Sequence, residues 1–189
     1  MIRARPHPTG LLVDGLWSVR DGPVNLYVLE APEGLVCVDA GWRPGHVLEA
    51  FQVLGLSPTM VKGVLLTHRH WDHARGMRAF PKAQVLTASS LSPLSVAGLD
   101  VDVLPCPGHT ADSAAFLVSG RHLFTGDTVW LCDGLARIGP WWPNRDTKLL
   151  QASLRQLASR PGAAWLHTAH TGSTAEVARA FAAWRGGRS

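Results

Sequence analysis

Three histidines and an aspartate fall within positions 68–73 of the segment Thr67-His68-Arg69-His70-Trp71-Asp72-His73-Ala74-Arg75-Gly76. Imidazole nitrogens and a carboxylate at that density suit a divalent transition metal, zinc above all. The apolar run 61–66 ahead of them reads as a buried strand, so the donors stand at a strand end, where rigid scaffolds present chemistry. Alternate side chains of an extended chain share a face, which lets His68 and His70 reach one ion together. Asp72 and His73 come after the chain begins to turn into a short helix and point toward a second position nearby. One segment could thus serve two adjacent metals. It is not the helical H-E-x-x-H arrangement, because donors at i and i+2 do not share a helix face.

Two adjacent ions need more ligands, and the chain offers them at wide intervals. Pro107-Gly108-His109-Thr110 follows the strand-like run 101–104, Thr125-Gly126-Asp127-Thr128 follows 122–124, and Thr168-Ala169-His170-Thr171-Gly172 follows 163–166. The repeated grammar is apolar strand, small residue, donor. His167 lies close to His170, but the small-residue flanks of His170 match the other donor turns. His7, His46 and His122 read as ordinary surface or strand histidines.

The T-H-x-H-x-D-H-x-x-G segment, with its downstream His, Asp and His, resembles the metallo-β-lactamase superfamily. The likeness runs from the strand Asn25-Leu26-Tyr27-Val28 and the turn Val38-Asp39-Ala40-Gly41 to His170. It implies that His68, His70 and His109 bind one metal, that Asp72, His73 and His170 bind a second, and that Asp127 bridges the pair. Asp39 would orient a ligand rather than bind metal. The seven-donor set looks more like the glyoxalase II-type hydrolases than the true β-lactamases. The chemistry implied is hydrolysis of a small-molecule thioester, lactone or other ester by a hydroxide held between two divalent ions, zinc first, with iron or manganese as alternatives. Asp72 and Asp127 would position that hydroxide and accept its proton.

Other functions share the same donors. Persulfide dioxygenases of the superfamily hold one iron through two histidines and an aspartate, here His68, His109 and Asp127. Phosphodiester hydrolysis and a metal-binding module without catalysis are further alternatives. No Ser-His-Asp or Cys nucleophile arrangement is evident. Cys37, Cys106 and Cys132 form no C-x-x-C motif, and an odd number argues against a disulfide framework. Cys37 reads as a small core residue. Cys106, three positions before His109, is a conceivable ligand, but the seven-donor set is full without it.

Composition sets limits. At 189 residues, with 46% apolar and 17% charged residues, the chain suits one globular domain over residues 1–189 and excludes a disordered protein. Net charge is +4 and the pI about 9.4. Three of the 18 basic residues are lysine (Lys62, Lys82, Lys148), so 15 are arginine, scattered without a run or a basic helix face. No nucleic-acid partner is therefore expected. No apolar stretch has the length of a membrane span, and no apolar signal core follows Met1-Ile2-Arg3-Ala4-Arg5, so no membrane association and a cytoplasmic location are expected. Eight tryptophans leave room for an apolar surface patch, and oligomeric state is unreadable.

The elements that must position the donors alternate along the chain. A hairpin is expected from 11–20 and 24–30 around Asp21-Gly22-Pro23, then a strand at 35–38 and a helix over 45–54. Further strands are expected at 61–67, 84–87, 101–104, 113–118 and 122–124. Leu150, Leu154, Leu157 and Ala158 form one stripe of a helix over 147–159, and 175–184 is the last helix. Mixed strands with helices outside make an α/β fold of two facing sheets. The resemblance implies the same αββα four-layer sandwich of the metallo-β-lactamase type, with metals at one edge between the sheets. A small-molecule substrate would then be recognised by loops. Trp71, Trp130, Arg137, Trp142 and Arg145 are the candidates, the arginines for a carboxylate. The tryptophans of 129–145 could equally roof the core.

Overall fold

A computed structural model describes residues 4–90, 92–140 and 144–185. Among the described residues, fourteen strands and four α-helices follow one another as β1 (Gly10–Val13), β2 (Leu16–Asp21), β3 (Val24–Ala31), β4 (Gly34–Val38), α1 (Pro44–Val53), β5 (Val61–Leu65), α2 (Trp71–Ala74), β6 (Gln84–Leu86), β7 (Leu94–Val96), β8 (Leu99–Pro105), β9 (Ala114–Val118), β10 (His122–Phe124), β11 (Trp130–Cys132), β12 (Leu135–Arg137), α3 (Thr147–Ser159), β13 (Trp165–Thr168), β14 (Gly172–Thr174) and α4 (Val177–Ala180). They form one six-stranded sheet in the order β1-β2-β3-β4-β5-β6, a second in the order β14-β13-β10-β9-β8-β7, and the small hairpin β11-β12.

Alternation along the strands produces three separate apolar layers. Tyr27, Leu29, Val36 and Val38 of the first sheet meet Val101, Val103, Phe116 and Phe124 of the second in the central core. The opposite faces are covered outside. Leu26, Val28, Cys37 and Val64 pack against Val47 and Phe51 of α1. Leu104, Leu117 and Leu166 pack against Leu154, Leu157 and Ala158 of α3. Strands buried on both faces need continuous apolar runs, and β3 and β9 have them. The arrangement is the expected αββα sandwich.

Helix α3 spans the expected residues, capped by Asp146 Oδ1, which accepts the Leu149 N–H at 2.9 Å. Two expectations need correction. The strand placed at 11–20 is broken at Asp14-Gly15, where Gly15 takes φ +71°, so β1 and β2 are a hairpin of their own. The helix expected over 175–184 is one turn of α4 followed by a 3-10 turn at Ala182–Trp184. Strands β7, β11, β12 and β14 lie outside the expected set.

Strand direction decides which loops meet. β9 is antiparallel to both β8 and β10, and β13 is parallel to β10. The C-terminal ends of β8, β10 and β13 therefore lie at one end of the second sheet. In the first sheet β4 and β5 are parallel, and β2 runs the same way as β4 because both are antiparallel to β3. The β2–β3 turn and the ends of β4 and β5 thus share an end too, and hydrogen bonds such as Ala114 N–H to Thr67 O (2.8 Å) and Asn25 N–H to Ala169 O (2.8 Å) join the two ends.

Gly76, which closes the histidine-rich segment, shows how tightly that end is packed. A Cβ there would lie 1.8 Å from the Ala40 carbonyl oxygen, because α2 docks main chain to main chain on the Asp39-Ala40-Gly41 turn. Ala40 N–H donates to His73 O at 2.8 Å and Gly76 N–H to Gly41 O at 2.9 Å. Gly76→Ala should destabilise the protein by about 1–3 kcal/mol, as overpacking does; an unchanged denaturant midpoint would show that this docking is not required.

Candidate metal centre

The seven donors meet at that end of the sandwich. His68 and His70 follow β5, Asp72 and His73 lie on α2, His109 follows β8, Asp127 sits in a 3-10 turn after β10, and His170 follows β13. Among the described residues they form two groups able to hold an ion, His68/His70/His109/Asp127 and Asp72/His73/His170. Asp127 faces both. Its Oδ2 lies 3.3 Å from His109 Nε2, and its Oδ1 lies 3.1 Å from His170 Nε2 and 3.3 Å from His73 Nε2. Asp72 Oδ2 approaches His170 Nε2 and His73 Nε2 at 3.7 and 3.8 Å.

Four of the five rings are fixed from behind. His73 Nδ1 lies 2.7 Å from Asp39 Oδ2, His170 Nδ1 2.7 Å from the Pro23 carbonyl oxygen, His109 Nδ1 2.8 Å from Asn144 Oδ1, and His68 Nδ1 3.1 Å from Thr67 Oγ1. An acceptor behind Nδ1 selects the tautomer that turns the Nε2 lone pair inward, which is the form a metal binds. The Thr67 hydroxyl accepts from His68 and donates to Asp39, 2.9 Å from each carboxylate oxygen. His70 points Nδ1 inward instead, 3.0 Å from His109 Nε2.

The donor set fits a metal on its own chemistry. His68 Nε2, His73 Nε2 and Asp127 Oδ1 are buried without a hydrogen-bond partner. His73 and Asp127 come within 3.3 Å of each other, yet their atoms are not aligned to bond. Such groups are costly unless something else satisfies them. Donors around a tetrahedral zinc ion, at about 2.0–2.1 Å from it, lie roughly 3.3–3.4 Å apart, and the donor contacts here, from 3.0 to 3.8 Å, bracket that spacing.

Electrostatics leads to the same conclusion. Burial and the neighbouring His73 depress the His68 imidazole well below its ordinary range. Burial also opposes charge on His73, but Asp127 and Asp39 outweigh it and hold His73 well above that range. His170 is raised against its burial mainly by Asp127. Burial alone would raise Asp127; His170 and His73 overcome it and hold the carboxyl well below the carboxylate range. Without metal, protons therefore carry the positive charge that Asp127 demands.

The remaining candidates separate. A cleft of about 270 Å³ is lined by His70, Asp72, His109, Asp127 and His170, and by Trp71, Trp130, Gly139, Pro140 and Asn144. Trp71 and Trp130 thus border the donors. Arg137 and Arg145 are exposed and are not among the lining residues. Trp142 lies outside the described residues. His167 belongs elsewhere: buried in β13, it bonds His122 and Ser173 and stacks on Phe124. Cys106 is in the core against α3, its thiol pushed up to about 12 by burial.

Sequence reasoning missed Thr67, Asn144 and the Pro23 carbonyl. Thr67 could have been noticed as the hydroxyl directly before the first ligand, but a main-chain carbonyl leaves no sequence signal. Asn144 arrives by loop packing, with Arg145 N–H bonding His109 O at 3.1 Å and Asp146 N–H bonding Gly108 O at 2.8 Å. Gly108 permits this at φ +135°, since a Cβ there would strike the α3 backbone at Leu150.

The chain matches known proteins along most of its length. The sequence model of the metallo-beta-lactamase superfamily matches residues 19–100. The hydroxyacylglutathione hydrolase of Xanthomonas campestris pv. campestris (strain B100) is 31% identical over 173 residues, covering 82% of this chain and 64% of that protein. That of Idiomarina loihiensis is 30% identical over 149 residues, 71% of this chain and 56% of that protein. The chain thus spans roughly three-fifths of the length of these relatives. The crystal structure of a metallo-beta-lactamase family protein from Thermus thermophilus superposes with TM-score 0.67 at 26% identity, covering 92% of this chain and 79% of that one. An archaeal superfamily protein from Sulfolobus tokodaii shares the fold at TM-score 0.65 and 19% identity, over 86% and 82% of the two chains.

Two outcomes are expected from this geometry. Asn144→Ala should weaken zinc binding about 10–100-fold, as loss of such an orienting partner does; undiminished affinity in a competitive chelator titration would remove Asn144 from that role. Because His73 and His170 hold their protons more tightly than ordinary imidazoles, metal uptake near neutral pH should release protons. Affinity should then rise with pH through the neutral range. Calorimetry in buffers of different ionisation heat measures that release, and none would overturn the assignment.

Proposed function

We propose that this chain, which belongs to the metallo-β-lactamase superfamily, is a dinuclear metal-dependent hydrolase of a small-molecule thioester, lactone or other ester. Asp127 carries the proposal, because its two carboxylate oxygens are turned to separate groups of donors. In this reading His68, His70 and His109 hold one divalent ion, zinc first, Asp72, His73 and His170 hold the other, and Asp127 serves both. Bound there, the two ions would supply a water acidified to nucleophilic form at neutral pH and a Lewis acid for the scissile carbonyl.

The protein's own groups do the rest. Asp39, Pro23, Asn144 and Thr67 keep the rings in register, so the donors need no rearrangement as charge develops. Asp72 lines the cleft. It turns Oδ2 toward His73 and His170, which leaves Oδ1 to take the proton lost by the attacking water and return it to the leaving group. Trp130, stacked on the His170 ring at 4.9 Å and 25°, keeps bulk water off that side. The similarity to hydroxyacylglutathione hydrolases supports a thioester as one substrate of this kind.

Metal content per chain, measured by plasma mass spectrometry on protein purified without added metal, tests the proposal. About two equivalents of a divalent metal, with turnover of thioesters or lactones, is the expected result. About one equivalent of iron with oxygen uptake would replace hydrolysis by the oxidative reading through His68, His109 and Asp127. Asp127→Ala should lower both metal content and turnover; full activity afterward would end the bridging role. His170→Ala should lose about one equivalent, whereas His167→Ala should keep both. The reverse result would reassign the ligand.

A further inference from the structure

The wall of the cleft beyond the donors is mostly apolar and carries no charged side chain among the described residues. Trp71, Trp130, Gly139, Pro140 and Asn144 supply it, and no lysine or arginine is among the lining residues described. Of the arginines in the flanking segments, Arg137 and Arg145 are exposed outside the lining residues, and two others are engaged. Arg43 pairs with buried Asp21 at 2.8 Å and Arg69 with Asp112 at 3.5 Å.

Trp71 is the unusual member. It stands between two donors with 55% of its surface exposed, although aromatic residues this large are usually well covered. It is also braced. The Trp42 ring meets it edge-on, centroids 4.4 Å apart at 69°, and the Arg43 guanidinium lies 5.6 Å from the Trp42 ring centre. Asp21 fixes both residues by accepting the Trp42 N–H at 2.8 Å and the Arg43 N–H at 2.6 Å. A rigid, exposed aromatic ring beside the reacting centre gains favourable burial only when an apolar group covers it. Trp130 is fixed as well, by its stacking on His170 and by Gly139, where a Cβ would come within 2.5 Å of the indole nitrogen.

We infer that the cleft selects an uncharged substrate with a compact aromatic or branched apolar acyl group held by Trp71 and Trp130, and discriminates against substrates that carry carboxylates. This rests on the hydrolase reading and narrows it. At about 270 Å³ the cleft is slightly smaller than the roughly 300–1,000 Å³ common for drug-sized ligands, which suits a compact acyl group. The carboxylates of a glutathionyl leaving group would find no cationic partner on the described wall, and unpaired polar groups reduce affinity.

The test compares binding with turnover on the zinc-loaded protein. Phenacyl thioethers of N-acetylcysteamine, uncharged, and of glutathione, anionic, are non-hydrolysable probes whose affinities calorimetry can measure. The uncharged probe should bind at least about tenfold more tightly, Trp71→Ala should cost it about tenfold, and Trp71→Phe should retain most of the affinity. Equal or tighter binding of the glutathione probe, or unchanged affinity in Trp71→Ala, would overturn the inference. Thermal unfolding of both variants separates lost contact from lost fold. Phenylacetyl thioesters of the same two thiols give the parallel kcat/KM comparison. If neither thioester is hydrolysed while the binding preference holds, the hydrolase reading fails and the specificity of the cleft stands.

Discussion

The histidine-rich segment at the functional end of this protein depends on one buried carboxylate that is not itself among the inward-facing donors. Asp39 accepts from the Thr67 amide, the Thr67 hydroxyl and the His73 ring. Through Thr67 it also sets His68, so a single group orients two donor rings from different elements. Its backbone sits at φ +59°, a left-handed conformation that is uncommon for residues other than glycine. Strain of that kind persists only where the surroundings over-determine it. Here the Asp39 N–H bonded to Leu65 O and the Ala40 N–H bonded to His73 O supply that constraint. Holding the backbone there places the carboxylate between β5 and α2, where no extended continuation of β4 would put it.

Topology then does what local sequence cannot. Parallel and antiparallel pairings send the ends of β4, β5, β8, β10 and β13 to one end of the two sheets. Residues more than a hundred positions apart thus share a space a few ångströms across. The β2–β3 turn comes to the same end, and its Pro23 carbonyl becomes the acceptor that orients His170. A rigid sandwich with three apolar layers limits how far these ends can drift, and preorganised donors need that restraint.

Much of this was legible in the chain. The H-x-H-x-D-H segment has a donor density that few structural explanations would produce, and the strand–small residue–donor grammar located His109, Asp127 and His170. The stripe Leu150, Leu154, Leu157 and Ala158 marked the whole of α3 by its helical period. Other features were hidden for physical reasons. Three-residue strands such as β11 and β14 carry too little alternation to be read and exist only because neighbours pair with them. Asn144 reaches His109 through main-chain bonds between two loops, a contact that has no local pattern. His167 could be told from His170 only by its flanks, although one is wrapped in aromatic core and the other faces Asp127.

The distribution of charge explains why these residues can be buried together at all. Five imidazoles and two carboxylates in one small volume would be a desolvation burden if each had to find a partner among the others. The imidazoles divide instead. His73 and His170, beside Asp127, are raised, whereas His68, facing other rings, is lowered. Protons thus favour the side where Asp127 faces His73 and His170, and leave His68 neutral and ready to ligate. A divalent ion would deliver the same positive charge without spending a ring lone pair on a proton, so a bound metal would replace protons in a site already arranged for it. Rings held from behind by uncharged acceptors, Pro23 O, Asn144 and Thr67, keep their orientation through that exchange. The fold therefore maintains the donor geometry, and a bound ion would supply the chemistry.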